Sequence, residues 1–305
     1  MIKQGCNNKH YWSVALVTLI FLLTSCSKFT NKPAVVITED SLTQKKIRDS
    51  LQIIDADYFL AYQEAAEKFS DISFRYIFSL LGSPDEREWI YKKADSLTNA
   101  LLAISDTGRL GTLPAREEIK NTINPKFRSA LVSFKELVNV YKLNVPGKIT
   151  DDSQYDNFVK KHLELKTVLQ QSYPEIVKLN PDPITRADDK IAVLLYNFSL
   201  ESLDMVDIVF LKSSMDKNEN ATSLKEMIAR QESVLSEYKI PPRISFLGSN
   251  FRIYSETLNK LIGECNKFRN SDRSNGELRK YYEVFIAARR NIYELRGSAG
   301  SLIGR

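Results

Sequence analysis

Few residues in this chain could carry covalent or acid–base chemistry, and their spacing limits what each could do. Of two histidines, His10 lies in the N-terminal basic segment, so His162 stands alone in the rest of the chain. A lone imidazole supports neither a histidine-based metal site nor a Ser/His/Asp triad. His162 follows Phe158 and Val159 at helical spacing and reads as a core-edge histidine with one hydrogen-bonded nitrogen. Cys265 could be a nucleophile. It falls in an apolar seam between Leu261 and Phe268, with no basic neighbour or helix start to lower its pKa, and reads as a small buried hydrophobe. Glu201, Asp204 and Asp207 recur every three residues, so they share one side of a helix. Such carboxylates can hold a metal or move protons, but the Glu-x-x-His pair of di-iron bundles is missing. They read as a solvated acidic face. Arg279, Lys280, Arg289, Arg290 and Arg296 give the last helix a basic side, expected to face solvent or, alternatively, anionic headgroups. Gly297-Ser298-Ala299-Gly300-Ser301 misplaces the glycines of a Gly-x-Ser-x-Gly nucleophile turn, and no strand precedes it. No catalytic, metal or cofactor residues are assigned, and a non-enzymatic protein is expected.

Cys26 is different. Residues 1–12 carry Lys3 and Lys9 and no acid, Val14 to Leu23 are almost wholly apolar, and the small residues Thr24 and Ser25 precede Cys26. A basic start, an apolar middle and a small-residue cleavage region mark a secretory signal peptide. The ten-residue apolar run is too short for a transmembrane helix, which needs about 17 to 25. Leu23-Thr24-Ser25-Cys26 resembles the lipobox of bacterial lipoproteins: an aliphatic residue, two small residues and an obligatory cysteine. The resemblance covers only about the first 28 residues. It implies a diacylglyceryl group on the Cys26 thiol, cleavage before Cys26 and acylation of the new amino group. Each buried methylene contributes about 0.8 kcal/mol, so two or three chains on one residue would hold a protein almost permanently. The alternative is an ordinary signal peptide or uncleaved anchor, with Cys26 incidental. In the family, Asp directly after the cysteine favours inner-membrane retention in some bacteria, and acidic runs mark surface export in others. Here Ser27-Lys28-Phe29-Thr30-Asn31-Lys32 follows, which favours the periplasmic face of the outer membrane.

Loss of residues 1–25 lowers the formal charge from +5 to +3, too little to argue for a nucleic-acid partner. With Cys6 removed and Cys26 acylated, Cys265 has no partner for an intrachain disulfide, so stability must come from packing. Gly and Pro are scarce, 11 and 10 in 305 residues, which leaves long uninterrupted segments.

These segments predict an all-α fold: an irregular antiparallel bundle of about eight helices. Residues 27–40 lack periodicity and read as a tether from lipid to domain. A first helix is expected over 41–81, with Ile47, Leu51, Ile54, Tyr58, Ala61, Ala65, Phe69, Ile72, Tyr76 and Leu80 on its buried stripe. Ser83-Pro84-Asp85-Glu86 and Ser274-Asn275-Gly276-Glu277 are capping boxes. The second helix should bury Trp89, Ile90, Leu97, Leu101 and Ile104. Asn180-Pro181-Asp182-Pro183 marks a boundary or hinge between halves 41–180 and 181–305, which could also form one continuous domain, and Thr185 should cap the helix that follows. The cleanest stripe is Leu247, Phe251, Tyr254, Leu258, Leu261, Cys265 and Phe268. Gly297 and Gly300 should release a frayed tail.

The expected role is a lipid-anchored, non-enzymatic interaction or scaffold component of an envelope assembly. Its partners would be membrane lipid through acylated Cys26 and a protein of the cell envelope. Two alternatives stand beside it. One is a ligand-binding lipoprotein with an aromatic pocket between helices. The other is an enzyme working through carboxylates, lysine or tyrosine alone.

Overall fold

The computed structural model describes residues 36–82, 87–106, 117–141, 147–176, 184 and 186–304. Cys26 and the signal segment, the 83–86 capping box, the 181–183 hinge and Thr185 lie outside the described residues. The chain divides into two compact units, Met1–Asp49 and Ser50–Arg305, and the bundle core belongs to the second.

The described residues form eight α-helices and no strand: α1 (Val36–Leu80), α2 (Arg87–Asp106), α3 (Glu117–Val140), α4 (Ser153–Ile176), α5 (Ala187–Met215), α6 (Thr222–Ser236), α7 (Ser245–Asn270) and α8 (Asn275–Leu302). Short 3-10 turns, Ile149–Asp151 and Pro242–Ile244, precede α4 and α7. The all-α bundle expected from the sequence is the fold. The helix pairs α2–α3 and α7–α8 pack antiparallel. Between α2 and α3, Asn99 pairs with Lys135 and Asp106 with Arg128. Between α7 and α8, Asn250 pairs with Ser298, Thr257 with Asn291 and Phe268 with Tyr281.

α1 is the axis of the bundle. Its Phe69 meets Phe134 of α3 and His162 of α4, and its Phe74 meets Phe210 of α5 and Phe285 of α8. A helix contacted by several neighbours buries more than one stripe, and α1 leaves only a narrow face with Asp57, Glu64, Lys68 and Arg75 to solvent. Phe59, Tyr62, Phe74 and Ile77 are therefore buried together with the predicted Tyr58, Phe69, Ile72, Tyr76 and Leu80, whereas Ile54 is exposed. Several of these rings meet edge to face, a geometry that contributes about 0.5–1.5 kcal/mol per pair beyond area burial. The Phe69–Phe134 and Phe74–Phe285 centroids are 5.5 and 4.8 Å apart.

Helix ends depart from expectation in instructive ways. α1 starts at Val36, five residues before the predicted 41. Ser274 does cap α8, accepting from the Glu277 N–H at 3.4 Å. The reciprocal half of the box is replaced: the Ser274 N–H donates to Asp272, and Glu277 pairs with Lys280. α5 begins beside Arg186, with no side-chain cap. Its C-terminal carbonyls, Ser213 and Ser214, accept from the buried Arg273 guanidinium, as cations at helix C-termini do. α8 runs through Gly297 and Gly300 to Leu302, and Gly300 is buried. Packing against α7 holds the expected frayed tail helical. Trp89 is 61% exposed and Ile104 also faces outward, so α2 buries only Ile90, Leu101 and, in part, Leu97 of its predicted stripe. The α7 stripe is buried throughout, Leu247 to Phe268.

Candidate functional site

Packing of α1, α4, α5 and α8 brings five charged side chains together inside the bundle. Lys166 of α4 lies 3.0 Å from Asp204 and 2.8 Å from Asp207, both on α5. Arg289 of α8 bonds Asp207, reaches Asp71 of α1 at 2.5 Å and donates to the Tyr293 hydroxyl at 3.1 Å. All but Asp71 are essentially out of solvent. The predicted solvated acidic face is thus corrected. Asp204 and Asp207 face the core and are neutralised by cations from neighbouring helices, while Glu201, one turn earlier, is partly exposed and pairs with Arg230. The predicted basic face of α8 is corrected in the same way. Arg289 is buried, Arg296 is held by Glu67 and Arg279 donates to the Leu81 carbonyl at 3.3 Å, whereas Lys280, paired with Glu277, and Arg290 are exposed as expected.

Burial raises the Asp204 carboxyl pKa to about 6, with the attraction of Lys166 opposing. Asp207 is held below its ordinary value because Arg289 and Lys166 together outweigh its burial. Lys166 stays protonated: Asp207 and Asp204 raise its pKa against desolvation. These are structural ion pairs. Breaking one leaves a buried uncompensated charge, which typically costs about 3–5 kcal/mol.

His162 lies one helical turn before Lys166. Its ring contacts Phe69, Phe74 and Phe158, and its Nε2 is 2.9 Å from the Ser70 hydroxyl. Ser70 donates to the Ala66 carbonyl at 2.7 Å, so its oxygen accepts from Nε2–H and the imidazole is neutral. Burial, helped by Lys166, lowers its pKa to about 3. It is a core histidine with one bonded nitrogen, as expected, though at the centre of the apolar face and not its edge. Cys265 is buried as expected, and burial raises its thiol pKa, the opposite of an activated nucleophile. Among the described residues no cluster of three or more metal-ligating side chains occurs.

Tyr293 joins this network to an open cleft of about 460 Å³ between α1, α5 and α8. Leu60, Gln63, Tyr196, Leu200, Tyr293 and Arg296 line it, with Glu64, Glu67 and Gly297. Arg296 forks onto both Glu67 oxygens at 2.6 and 2.7 Å and lies 4.9 Å from the Tyr293 ring centroid. The Gln63 side chain is buried and both its amide atoms lack a hydrogen-bond partner.

Sequence reasoning assigned neither the network cations nor the cleft. A signal for Lys166 and Arg289 was present. Lys166 falls on the stripe Tyr155, Val159, His162, Leu169, and Arg289 on the stripe Tyr282, Phe285, Ile292. A charge on a buried stripe needs a buried partner, and 191–211, apolar on every side of its helix, supplies two carboxylates. Gln63 carried no such signal, since which of two adjacent polar positions meets a cleft depends on the helices opposite.

Comparison with known proteins places no family on the chain. No protein-family description matches it, and no solved structure resembles it significantly. It is 24% identical over 271 residues to a DNA-directed RNA polymerase subunit beta' of Metamycoplasma arthritidis (strain 158L3-1), covering 88% of this chain. The chain spans about 17% of that relative's length, and a likeness this distant and partial assigns it no activity.

Proposed function

We propose that the chain is a bacterial lipoprotein, held by a lipid on Cys26 at the periplasmic face of the outer membrane, whose helical bundle serves as a non-enzymatic interaction component of an envelope assembly. The observation that carries this reading is Leu23-Thr24-Ser25-Cys26 behind a basic segment and ten apolar residues. Among the described residues no helix is long and apolar enough to cross a membrane; on this reading the acyl chains on Cys26 are the attachment. Support for docking comes from Trp89, and from Phe246 and Ile253, seven residues apart on one face of α7; all three are exposed large apolar side chains. The test is Cys26→Ser with labelled fatty acid. Label on the native chain, absent from the variant, together with release of the variant from the membrane fraction, is expected. A variant that stays on membranes with native processing would sink the anchor. Crosslinking in native membranes should capture a protein partner; recovery of the uncoupled chain alone would sink the assembly role.

A second reading is favoured by the cleft between α1, α5 and α8, whose polar groups converge between apolar and aromatic walls: the anchored bundle takes a small ligand there.

A further inference from the structure

Gln63 is a buried side chain of the cleft whose hydrogen-bonding chemistry the bundle leaves unused. Its Nε2 and Oε1 are both buried and neither has a hydrogen-bond partner. A buried polar group without a partner typically costs about 1–3 kcal/mol. Gln231, in an equally buried place between α5, α6 and α7, shows how this bundle treats an internal amide. Its oxygen accepts from the Tyr254 hydroxyl at 2.6 Å, and its nitrogen donates to Ser202 at 3.2 Å and Glu201 at 3.3 Å.

The polar neighbours of Gln63 in the cleft are already engaged. Glu67 is occupied on both oxygens by Arg296, and Glu64 at the rim is paired with Lys68 at 2.7 Å. These pairs also close the local charge: each carboxylate is matched by one cation. An ionic ligand finds no opposite charge to meet. In the wall of the cleft lies one carboxamide, with one acceptor and two donors, its polar atoms buried beside the amphipathic rings of Tyr196 and Tyr293 and the apolar Leu60 and Leu200. Its volume of about 460 Å³ falls among small-molecule sites, about 300–1,000 Å³.

We propose that this cleft binds an uncharged small molecule bearing an amide group, the amide pairing with Gln63 and the body of the molecule resting against Tyr196 and Tyr293. This rests on the ligand-binding reading and names its ligand class. An amide presents a donor and an acceptor on one planar group, which answers both unpartnered atoms of Gln63. Because both atoms are out of solvent in the structure, binding requires the Gln63 side chain to turn toward the cleft. Acetamido sugars and N-acylated amino-acid amides share this chemistry.

The test is calorimetric titration of the full chain in detergent with N,N′-diacetylchitobiose and with N-acetyl-L-tyrosinamide, the two arms separating the sources. Cellobiose, which has the same two rings without acetamido groups, is the matched control. Saturable millimolar or tighter binding of at least one amide probe is expected, at least tenfold stronger than cellobiose. Gln63→Leu should weaken it at least tenfold while helical content is kept and thermal stability is unchanged or raised, since the substitution removes an unpartnered amide. Gln63→Met reads the same way should the leucine variant not fold. Saturable binding of cellobiose as strong as chitobiose would overturn the amide assignment and leave the ligand-binding reading standing. So would probe binding that survives Gln63→Leu but is lost in Tyr196→Ala. Absence of saturable binding by either amide probe overturns the proposal.

Discussion

Acidification should loosen this bundle through His162, and the size of the effect follows from its surroundings. The ring is enclosed by Phe69, Phe74 and Phe158, with Lys166 one turn away. Burial first, then Lys166, lowers its pKa from 6.5 to about 3. For a base whose folded pKa is depressed, the unfolded chain takes up the proton first, so stability is lost as pH falls below the unfolded value of about 6.5 and continues to fall until about pH 3. Each pH unit in that window is worth about 1.4 kcal/mol, so between pH 7.5 and 4.5 the loss is about 3 kcal/mol. Carboxylates titrate in the same range, and Asp204 acts in the opposite direction. The clean measurement is therefore the difference between the native chain and His162→Gln, which keeps a neutral donor toward Ser70 at every pH. Urea unfolding followed by circular dichroism at half-unit pH steps gives both curves. The native-minus-variant stability should fall by about 3 kcal/mol from pH 7.5 to 4.5. A difference flat to within about 0.5 kcal/mol would show that the imidazole gains its proton as readily in the folded bundle as in the unfolded chain, and would refute the enclosed neutral ring.

Two further outcomes probe the ion network. Arg289→Met keeps most of the buried stem but leaves Asp207 with Lys166 alone, and should cost about 3–5 kcal/mol at neutral pH, measured by denaturant unfolding; a loss under about 1 kcal/mol would mean the pair is wet. Asp204→Asn tests the opposite pH slope. The raised carboxyl contributes stability below its unfolded pKa that is lost as pH rises through about 6, so the native chain should lose stability relative to the variant between pH 4 and 7, and a native chain that gains would contradict the burial of Asp204.

Much of the bundle was legible because helical periodicity is local. The α7 stripe repeats in steps of four and three from Leu247 to Phe268, and a helix packed on one side needs no other information. α1 was harder. Its predicted stripe was real, but neighbours on more than one side also bury Phe59, Tyr62, Phe74 and Ile77, which a one-stripe reading leaves outside. Trp89 fails in the other direction: apolar type suggested core, yet no helix covers it among the described residues. Asp204, Asp207 and Arg289 were misjudged as solvated because charge by itself favours water, and only pairing across helices reverses that preference. The cleft was not legible at all, since Leu60, Tyr196 and Tyr293 come from three helices.

What the sequence determined by itself is whatever depends on neighbours along the chain. The lipobox-like segment ending at Cys26 and the helical periodicities belong there, as do the helix start at Ser274 and the places of Cys265 and His162 on apolar stripes. Tertiary structure alone decided which charges are inside and which amide lacks a partner. Lys166 meets Asp204 across 38 residues of chain and Arg289 meets Asp71 across 218. Whether a buried charge or amide is satisfied is a property of the group facing it, and that group is chosen by packing, not by spacing along the chain.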